Sequence, residues 1–454
     1  MGFQVAYQTR SIRWIIPIIG LVTCALTWLR FHDPRLQADQ ESWNGQKVSD
    51  EQRIQEQEAL KEHQFQDSIQ DIMNATLGFS KVLAINILSR TDKRDQLVLG
   101  SSLTGFVIDF IDGVNADEIN PKTYPYNWNQ EHSATEYACL RAHLNAAQKI
   151  VQQGLRTALI LEDDVDWDIS IKLQLQTFAH AVRTLQGTTQ NHTDSPYGDE
   201  WDILWLGHCG ASCKNELPFY MIPGDPTLLK STHLPTYYRG PPENIRPDDT
   251  RLVCTMEDAA CTPAYAMSYR GAQRVLAALS VNPSGFEGQL QTGDQIDLEL
   301  GRMCKSGLLK CFAPFPSLTG TYRSAGLPSK GTDQSGHEGG IQMERAASWG
   351  VVYSTMLNIK HILRGESVVY ATWPDVQHPN IKPEDIHFER GYVYTYRSEE
   401  VSDPVPIPAP EEEVVDETVF ADDPSFTDQP YSISRPHATR GSHLMKAPGS
   451  QDLS

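Results

Sequence analysis

The amino-acid sequence predicts an α/β fold with a mostly parallel central sheet, preceded by an N-terminal transmembrane anchor. Three observations predict it. Apolar runs of strand length alternate with segments of helical period between residues 78 and 398. The run from Trp14 to Leu29 has sixteen residues and no charge. A third run, apolar enough for a buried strand, ends in Glu162, Asp163 and Asp164. With 454 residues, the chain can bury a large core without staples. The net charge of -20 repels polyanions, so nucleic acid is not an expected partner. That charge is uneven: Glu399 to Asp428 holds eleven acids and no Lys or Arg.

Along the chain, residues 1–13 read as a cytoplasmic tail and 14–29 as the anchor. Sixteen helical residues span about 24 Å, slightly short of a bilayer core. Arg13 and Arg30 can snorkel, and Trp14 and Trp28 suit the interfaces. A cleavable signal peptide is the rival reading, although no small-x-small site follows closely. Residues 30–77 are polar and rich in Gln and Glu, which suits a stem or an ordinary surface helix. Asn74 and Asn191 each open a glycosylation sequon, in keeping with a secretory compartment. The tail 399–454 is acidic and rich in Pro, and no fold is expected of it.

Eight cysteines lie at 24, 139, 209, 213, 254, 261, 304 and 311. The pairs 209/213 and 254/261 resemble half zinc sites, but their spacing is loose. Disulfides among the last six are expected, with the connectivity open.

In the body, 81–88 and 105–114 read as strands and 134–153 as a helix that Gly154 stops. The run TALILEDDVDW then reads as one buried strand, followed by a helix over 169–185 and a strand over 201–207. Residues 262–269 form a further strand, feeding a helix over 271–279. Such alternation implies a sheet covered on both faces.

The acids at the strand end are the sharpest chemical signal. Ligands of open α/β sheets bind at the carboxyl ends of strands. Continued alternation would point Glu162, Asp164 and Asp166 one way and Asp163 the other. Carboxylates gathered on one side repel unless a cation sits between them, and oxygen donors suit Mg²⁺ or Mn²⁺. Solvated acids bonded to helix N-termini are the plainer alternative. Neither a G-x-x-x-x-G-K-[ST] loop nor a G-x-G-x-x-G after the first strand is present, which argues against P-loop and dinucleotide enzymes.

Several blocks, in order, resemble glycosyltransferase family 25, which includes lipooligosaccharide and procollagen galactosyltransferases, in a form like its fungal members. They are Ala84-Ile85-Asn86-Ile87-Leu88 with Arg90 and Arg94, then Phe110-Ile111-Asp112-Gly113, and then Ala138 to His143. Leu159 to Asp164 reads L-I-L-E-D-D, the family signature. Trp201-Asp202 with Leu206-Gly207 follows, and then Ala264-Tyr265 with Ser268, Gly271, Ala272 and Arg274. The late blocks fall on Asp297 and on Thr332-Asp333-Gln334. Ala138 replaces the family's glycine, Ala142 its serine and Gln295 its proline, while Thr332 and Gln334 replace a late serine and isoleucine. These departures bear on the acceptor side more than on the metal side.

The resemblance implies a GT-A type nucleotide-sugar transferase fold and an inverting transfer of a hexose, galactose first, from a UDP-sugar. The acceptor would be a glycan or glycoprotein, and Mn²⁺ or Mg²⁺ the cofactor. The protein would be a single-pass type II membrane protein of the Golgi or another secretory-pathway membrane, its catalytic domain lumenal. Asp164 is the expected metal ligand, with Glu162 as second ligand or sugar contact and Asp163 in support. Asn86, Arg90 and Arg94 are expected on the nucleotide side, with surface salt bridges as the alternative for the arginines. His143 is expected to touch the donor or to pack inside. Asp297 is the first candidate for the base and Asp294 the second; His208 is a further candidate metal ligand, and Tyr265 and Ser268 are candidate pocket residues. A sugar-binding protein without activity and a metal-dependent nucleotide-sugar hydrolase are the competing readings.

Overall fold

The computed structural model describes residues 68–125, 127–188, 193–234, 249–286, 290, 292–330 and 342–395. The anchor segment 14–29, nearly all of the stem, the tail 399–454, the sequon at Asn191 and the block 332–334 lie outside the described residues. Among the described residues no helix is long and apolar enough to cross a membrane. The expected placement as a single-pass type II membrane protein is corrected on that finding. The apolar run 14–29 on which that expectation rested would reach only about 24 Å as a helix, less than a bilayer core.

The chain lays down β1 (Lys81–Asn86), α1 (Thr91–Leu103), β2 (Asp109–Asp112), α2 (Ala134–Gln152) and β3 (Thr157–Glu162). It continues with β4 (Val165–Trp167), α3 (Ile171–Gln186), β5 (Ile203–Gly207), β6 (Ala211–Cys213), β7 (Phe219–Pro223) and β8 (Thr250–Ala259). Then come β9 (Ala264–Ser268), α4 (Tyr269–Leu276), α5 (Ile296–Lys305), β10 (Cys311–Phe315) and β11 (Thr319–Arg323). The last elements are β12 (Ala347–Trp349), α6 (Thr355–Leu363), β13 (Val369–Tyr370), β14 (Asn380–Ile381) and β15 (Tyr392–Tyr394).

The main sheet runs β15-β7-β8-β10-β5-β9-β3-β1-β2, with β6 on β8. β1 pairs parallel with β2 and β3, and β10 pairs parallel with β5. The strand over 262–269, expected in a mostly parallel sheet, is β9, and it lies antiparallel between β3 and β5. β8 is antiparallel to β10, so β8 and β9 run in the same direction, opposite to β5 and β10.

Strand alternation builds the two covered faces. Leu83, Ile85 and Ile160 pack beneath α2 with Leu140, Leu144 and Ile150. Val82, Ala84, Leu159 and Leu161 pack on the opposite face with Leu175, Phe178 and Val182 of α3. Each such side chain contributes roughly 1.5–3 kcal/mol on burial. Helix α2 opens with a capping box between Ser133 and Glu136 and stops before Gly154, whose φ of 62° suits a residue without a Cβ.

The run TALILEDDVDW is not one strand. β3 ends at Glu162, Asp163 and Asp164 form a turn, and β4 restarts at Val165 in a second sheet, β12-β11-β4. Gly320 of β11 faces Trp349 so closely that an added Cβ would meet the Trp349 carbonyl oxygen. The break sends Asp166 and Asp168 inward, away from the preceding acids, and both are fully buried. Asp166 accepts hydrogen bonds from the hydroxyls of Ser348 and Ser354 and from the amides of Trp167 and Met356. Asp168 accepts from Ser170 and from the Tyr353 amide. These carboxylates tie segment 348–356 to β4; they do not extend the acidic cluster.

Three disulfides join Cys209 to Cys261, Cys213 to Cys254 and Cys304 to Cys311. They pair the six cysteines expected to pair, and the half zinc sites dissolve into them. Cys139 is a free thiol.

Asp166→Ala is expected to cost about 3 kcal/mol, because four donors lose a buried acceptor. Ser348→Ala removes one donor and should cost about 1 kcal/mol. Urea denaturation of the two variants checks the order and the size.

Candidate active site

A cleft of about 530 Å³ opens at the carboxyl ends of β1, β2 and β3. Ile85 and Ile87 border it on one side and Val114 and Asn115 on another. Helix α2 contributes Ala138, Cys139, Ala142 and His143, while Glu162, Asp163 and Asp164 stand at the end of β3. The replacements at 138 and 142 thus line this cleft beside Glu162; their small side chains leave the space open.

The three acids differ in their surroundings. Asp163 is engaged on both oxygens: Lys93 Nζ lies 2.6 Å from Oδ1, and Asn86 Nδ2 donates to Oδ2 at 3.0 Å. Lys93 is 7% exposed, so this ion pair is largely withdrawn from water. Glu162 accepts from Thr262 Oγ1 at 2.6 Å and has His143 Nε2 at 3.4 Å. Burial pushes its carboxyl upward, but His143 and Thr262 outweigh it and hold Glu162 below its ordinary value. The Asp164 carboxylate accepts no hydrogen bond from another described side chain. Burial raises it to about 7; Lys93 opposes the shift, and Glu162 and Asp163 add to it.

This environment fits a divalent cation at Asp164. A half-buried carboxylate without a side-chain partner holds a proton up to neutrality, and a cation can take that proton's place. Among the described residues, no group of three or more His, Cys, Asp or Glu could hold a metal ion. Any further ligands to such a cation would be substrate oxygens and water, as is usual for Mg²⁺ at phosphates.

The nucleotide-side expectations divide. Asn86 is fully buried and bridges the site: besides Asp163, its amide donates to the Arg90 carbonyl and its Oδ1 accepts from Arg94 Nε. Arg90 turns to Asp92, with bonds of 3.1 and 3.2 Å. Arg94 lies 4.4 Å over the Phe110 ring. Neither arginine lines the cleft, and the cation that does is Lys93. Sequence reasoning passed it over, although a signal was present. Lys93, Leu97, Gly100 and Ser101 form the buried face of α1. A lysine on that face implies a buried partner.

The base candidates lie elsewhere. Asp294 is held by Arg302 at 2.7 Å and His132 at 2.8 Å, and its own Oδ1 accepts from the Gln295 amide. Burial would raise its carboxyl, yet these partners keep it below its ordinary value, so it is a poor proton acceptor. Asp297 accepts from the Cys261 amide and from the Leu298 amide, each at 2.9 Å. Burial raises it, the two amides temper the shift, and the charge of Glu162 adds to it. Neither acid lines the cleft.

The other candidates do not line the cleft. His208 is buried between the Pro314 carbonyl at 2.8 Å and the Gly210 amide at 3.1 Å. Burial lowers it to about 4, and it faces no carboxylate of the cleft, so the ligand expectation is corrected. Asp202 is clamped by Arg270, Arg274 and the Lys310 amide. Ser268 caps α4 through the Gly271 amide, and Tyr265 is fully buried against His143.

An α/β sheet with a carboxylate-lined cleft at the carboxyl ends of its first strands fits a Rossmann-like architecture. The match to known proteins falls on the same strands. Residues 79–200 match the model of glycosyltransferase family 25 (LPS biosynthesis protein). The chain is 24% identical over 214 residues to procollagen galactosyltransferase 1 of Danio rerio, covering 44% of this chain and 29% of that protein. It is 26% identical over 171 residues to procollagen galactosyltransferase 1-B of Xenopus laevis, covering 35% and 25%. Over 161 residues it is 22% identical to inactive glycosyltransferase 25 family member 3 of Homo sapiens, covering 33% and 25%. The chain therefore spans less than a third of the length of these relatives.

Glu299 gives a pH prediction for the acid-rich start of α5. It is 1% exposed and accepts from the Asp294 amide at 2.7 Å, and burial raises it from 4.5 to about 7. Between those values the folded chain keeps a proton that the unfolded chain has lost. Stability should then fall as pH rises through that window. The stability of the wild type relative to Glu299→Gln should decline by about 3 kcal/mol between pH 4 and 8, read by denaturation at each pH.

Proposed function

We propose that this protein is a glycosyltransferase of GT-A type that moves a hexose, galactose first, from a UDP-sugar to a glycan or glycoprotein acceptor. The observation that carries the reading is Asp164, a cleft carboxylate whose two neighbours are already engaged while it is not. The family 25 match supports the reaction class, and the galactosyltransferase names of two relatives support the sugar.

The cleft suits a nucleotide sugar. Ile85, Ile87 and Val114 offer an apolar wall for a base, and the acids stand at its inner end. Mn²⁺ or Mg²⁺, when bound, would be held by Asp164 with Glu162 as the second oxygen donor, and it supplies charge neutralisation for the departing nucleotide diphosphate. Lys93 pairs with Asp163, so the two together add no net charge to the cleft, and Asn86 fixes the turn beneath it. Glu162, held by Thr262 on one side, keeps Oε2 for a sugar hydroxyl. Inversion requires a base on the acceptor side. Asp297 is assigned that role over Asp294, because burial and the charge of Glu162 raise its proton affinity while Arg302 lowers that of Asp294.

The test is release of UDP from UDP-galactose, with and without Mn²⁺, and with acceptor glycans added. Wild-type turnover should need the metal and rise with acceptor. Asp164→Ala should lose at least about 100-fold. Its thermal stability should hold or increase, because the variant removes a buried charge that has no partner. Undiminished turnover in Asp164→Ala would overturn the assignment. Nucleotide binding without turnover in the wild type would instead place the chain beside its relative named inactive.

A further inference from the structure

Behind Glu162 runs a chain of buried polar groups that the proposed chemistry does not yet use. Tyr265 sits on β9 opposite Ile160 of β3, and His143 sits on α2. Tyr265 is 0% exposed and His143 2%. The Tyr265 hydroxyl lies 3.0 Å from His143 Nδ1, and His143 Nε2 lies 3.4 Å from Glu162 Oε1. The two rings are stacked, with centroids 5.7 Å apart at 28°. On its far side, Glu162 Oε1 accepts from Thr262, and the Glu162 amide donates to the Pro263 carbonyl at 2.9 Å.

For a ring that carries one proton, the donors and acceptors fit together in one way. An ionised carboxylate only accepts, so His143 must present Nε2–H to Glu162. Its Nδ1 is then a lone pair, and the group facing that lone pair must donate. A buried tyrosine hydroxyl needs an acceptor for its proton, and Nδ1 is the one at hand. With the ring in the other tautomer, an Nε2 lone pair would face a carboxylate oxygen, and the tyrosine proton would lose its acceptor.

We infer that Tyr265 and His143 are positioning residues: the Tyr265 hydroxyl fixes His143 as the Nε2–H tautomer, and His143 with Thr262 holds Glu162 in one orientation in the cleft. Second-layer partners of this kind typically change activity by about 10- to 100-fold. The kinetic consequence rests on the glycosyltransferase reading, but the tautomer does not.

The experiment uses the full chain with ¹⁵N-labelled histidine and the variants Tyr265→Phe, His143→Gln and His143→Ala. In the wild type, the His143 ring should show one protonated nitrogen, Nε2. Tyr265→Phe keeps the ring and its packing and removes the hydroxyl, so the His143 signal should move toward a mixture of tautomers. With UDP-galactose and Mn²⁺, Tyr265→Phe should lower kcat about 10-fold with KM little changed. His143→Gln, whose amide can still donate to Glu162, should retain more turnover than His143→Ala. A wild-type Nδ1–H tautomer, or a His143 signal unmoved by Tyr265→Phe, overturns the inference even if turnover is present. If the tautomer shifts and no protein turns over UDP-galactose, the inference stands and the glycosyltransferase reading falls.

Discussion

Like charge crowded at the end of a buried strand is the constraint around which this molecule is arranged. Three successive carboxylates follow the apolar run Ala158 to Leu161. Left together in a half-buried turn, they would oppose folding by mutual repulsion and by loss of hydration. The structure removes two of them from the problem by different means. Asp163 is paired with a lysine from α1, and Glu162 is given donors from the loop ahead of β9 and from α2. The cost then falls on Asp164 alone, which keeps a proton to about pH 7. A charge deficit confined to one side chain in a cleft could be offset by a ligand that brings positive charge.

The same economy explains the second sheet. A turn at Asp163 and Asp164 cannot stay rigid while β4 is free to shift. β4 is held in turn by β11, and its two aspartates anchor segment 348–356 through hydroxyl and amide donors. The Tyr322 amide also donates to the Asp164 carbonyl at 2.7 Å, so β11 reaches back to the turn itself. Residues nearly two hundred positions apart thereby fix the carboxylate that matters most to the cleft.

Periodicity made the helices and strands around the cleft legible, because each has one apolar face or is apolar throughout. α2 appears over 134–152 against an expected 134–153, and the strand ends carry their acids where the run of residues predicts. The direction of β9 was not legible, since local pattern says nothing about which neighbour a strand will pair with. The turn inside TALILEDDVDW was hidden as well: Val165 and Trp167 continue an apolar alternation that would also serve one long strand. At the site, Glu162, Asp163 and Asp164 were found, but not their separate roles. Those roles come from Lys93 and Thr262, which lie 70 and 100 residues from their partners. Arg90 and Arg94 drew attention as the stronger cations, yet each has a nearer partner in Asp92 or Asn86.

The loop Cys261-Thr262-Pro263 shows how these constraints meet. Cys261 adopts φ 63°, a conformation that side chains rarely take, and is tied to Cys209 by a disulfide. Its amide donates to Asp297, its carbonyl accepts from Trp205, and the next residue donates to Glu162. One short loop therefore holds both the cleft acid and the acid assigned to the acceptor side. A left-handed residue persists only where its surroundings over-determine it, and here a disulfide, an indole and two carboxylates do so together. The spacing between Glu162 and Asp297 is thus set by covalent and hydrogen-bonded restraints on a single loop, and the sheet beneath it fixes only where that loop begins and ends.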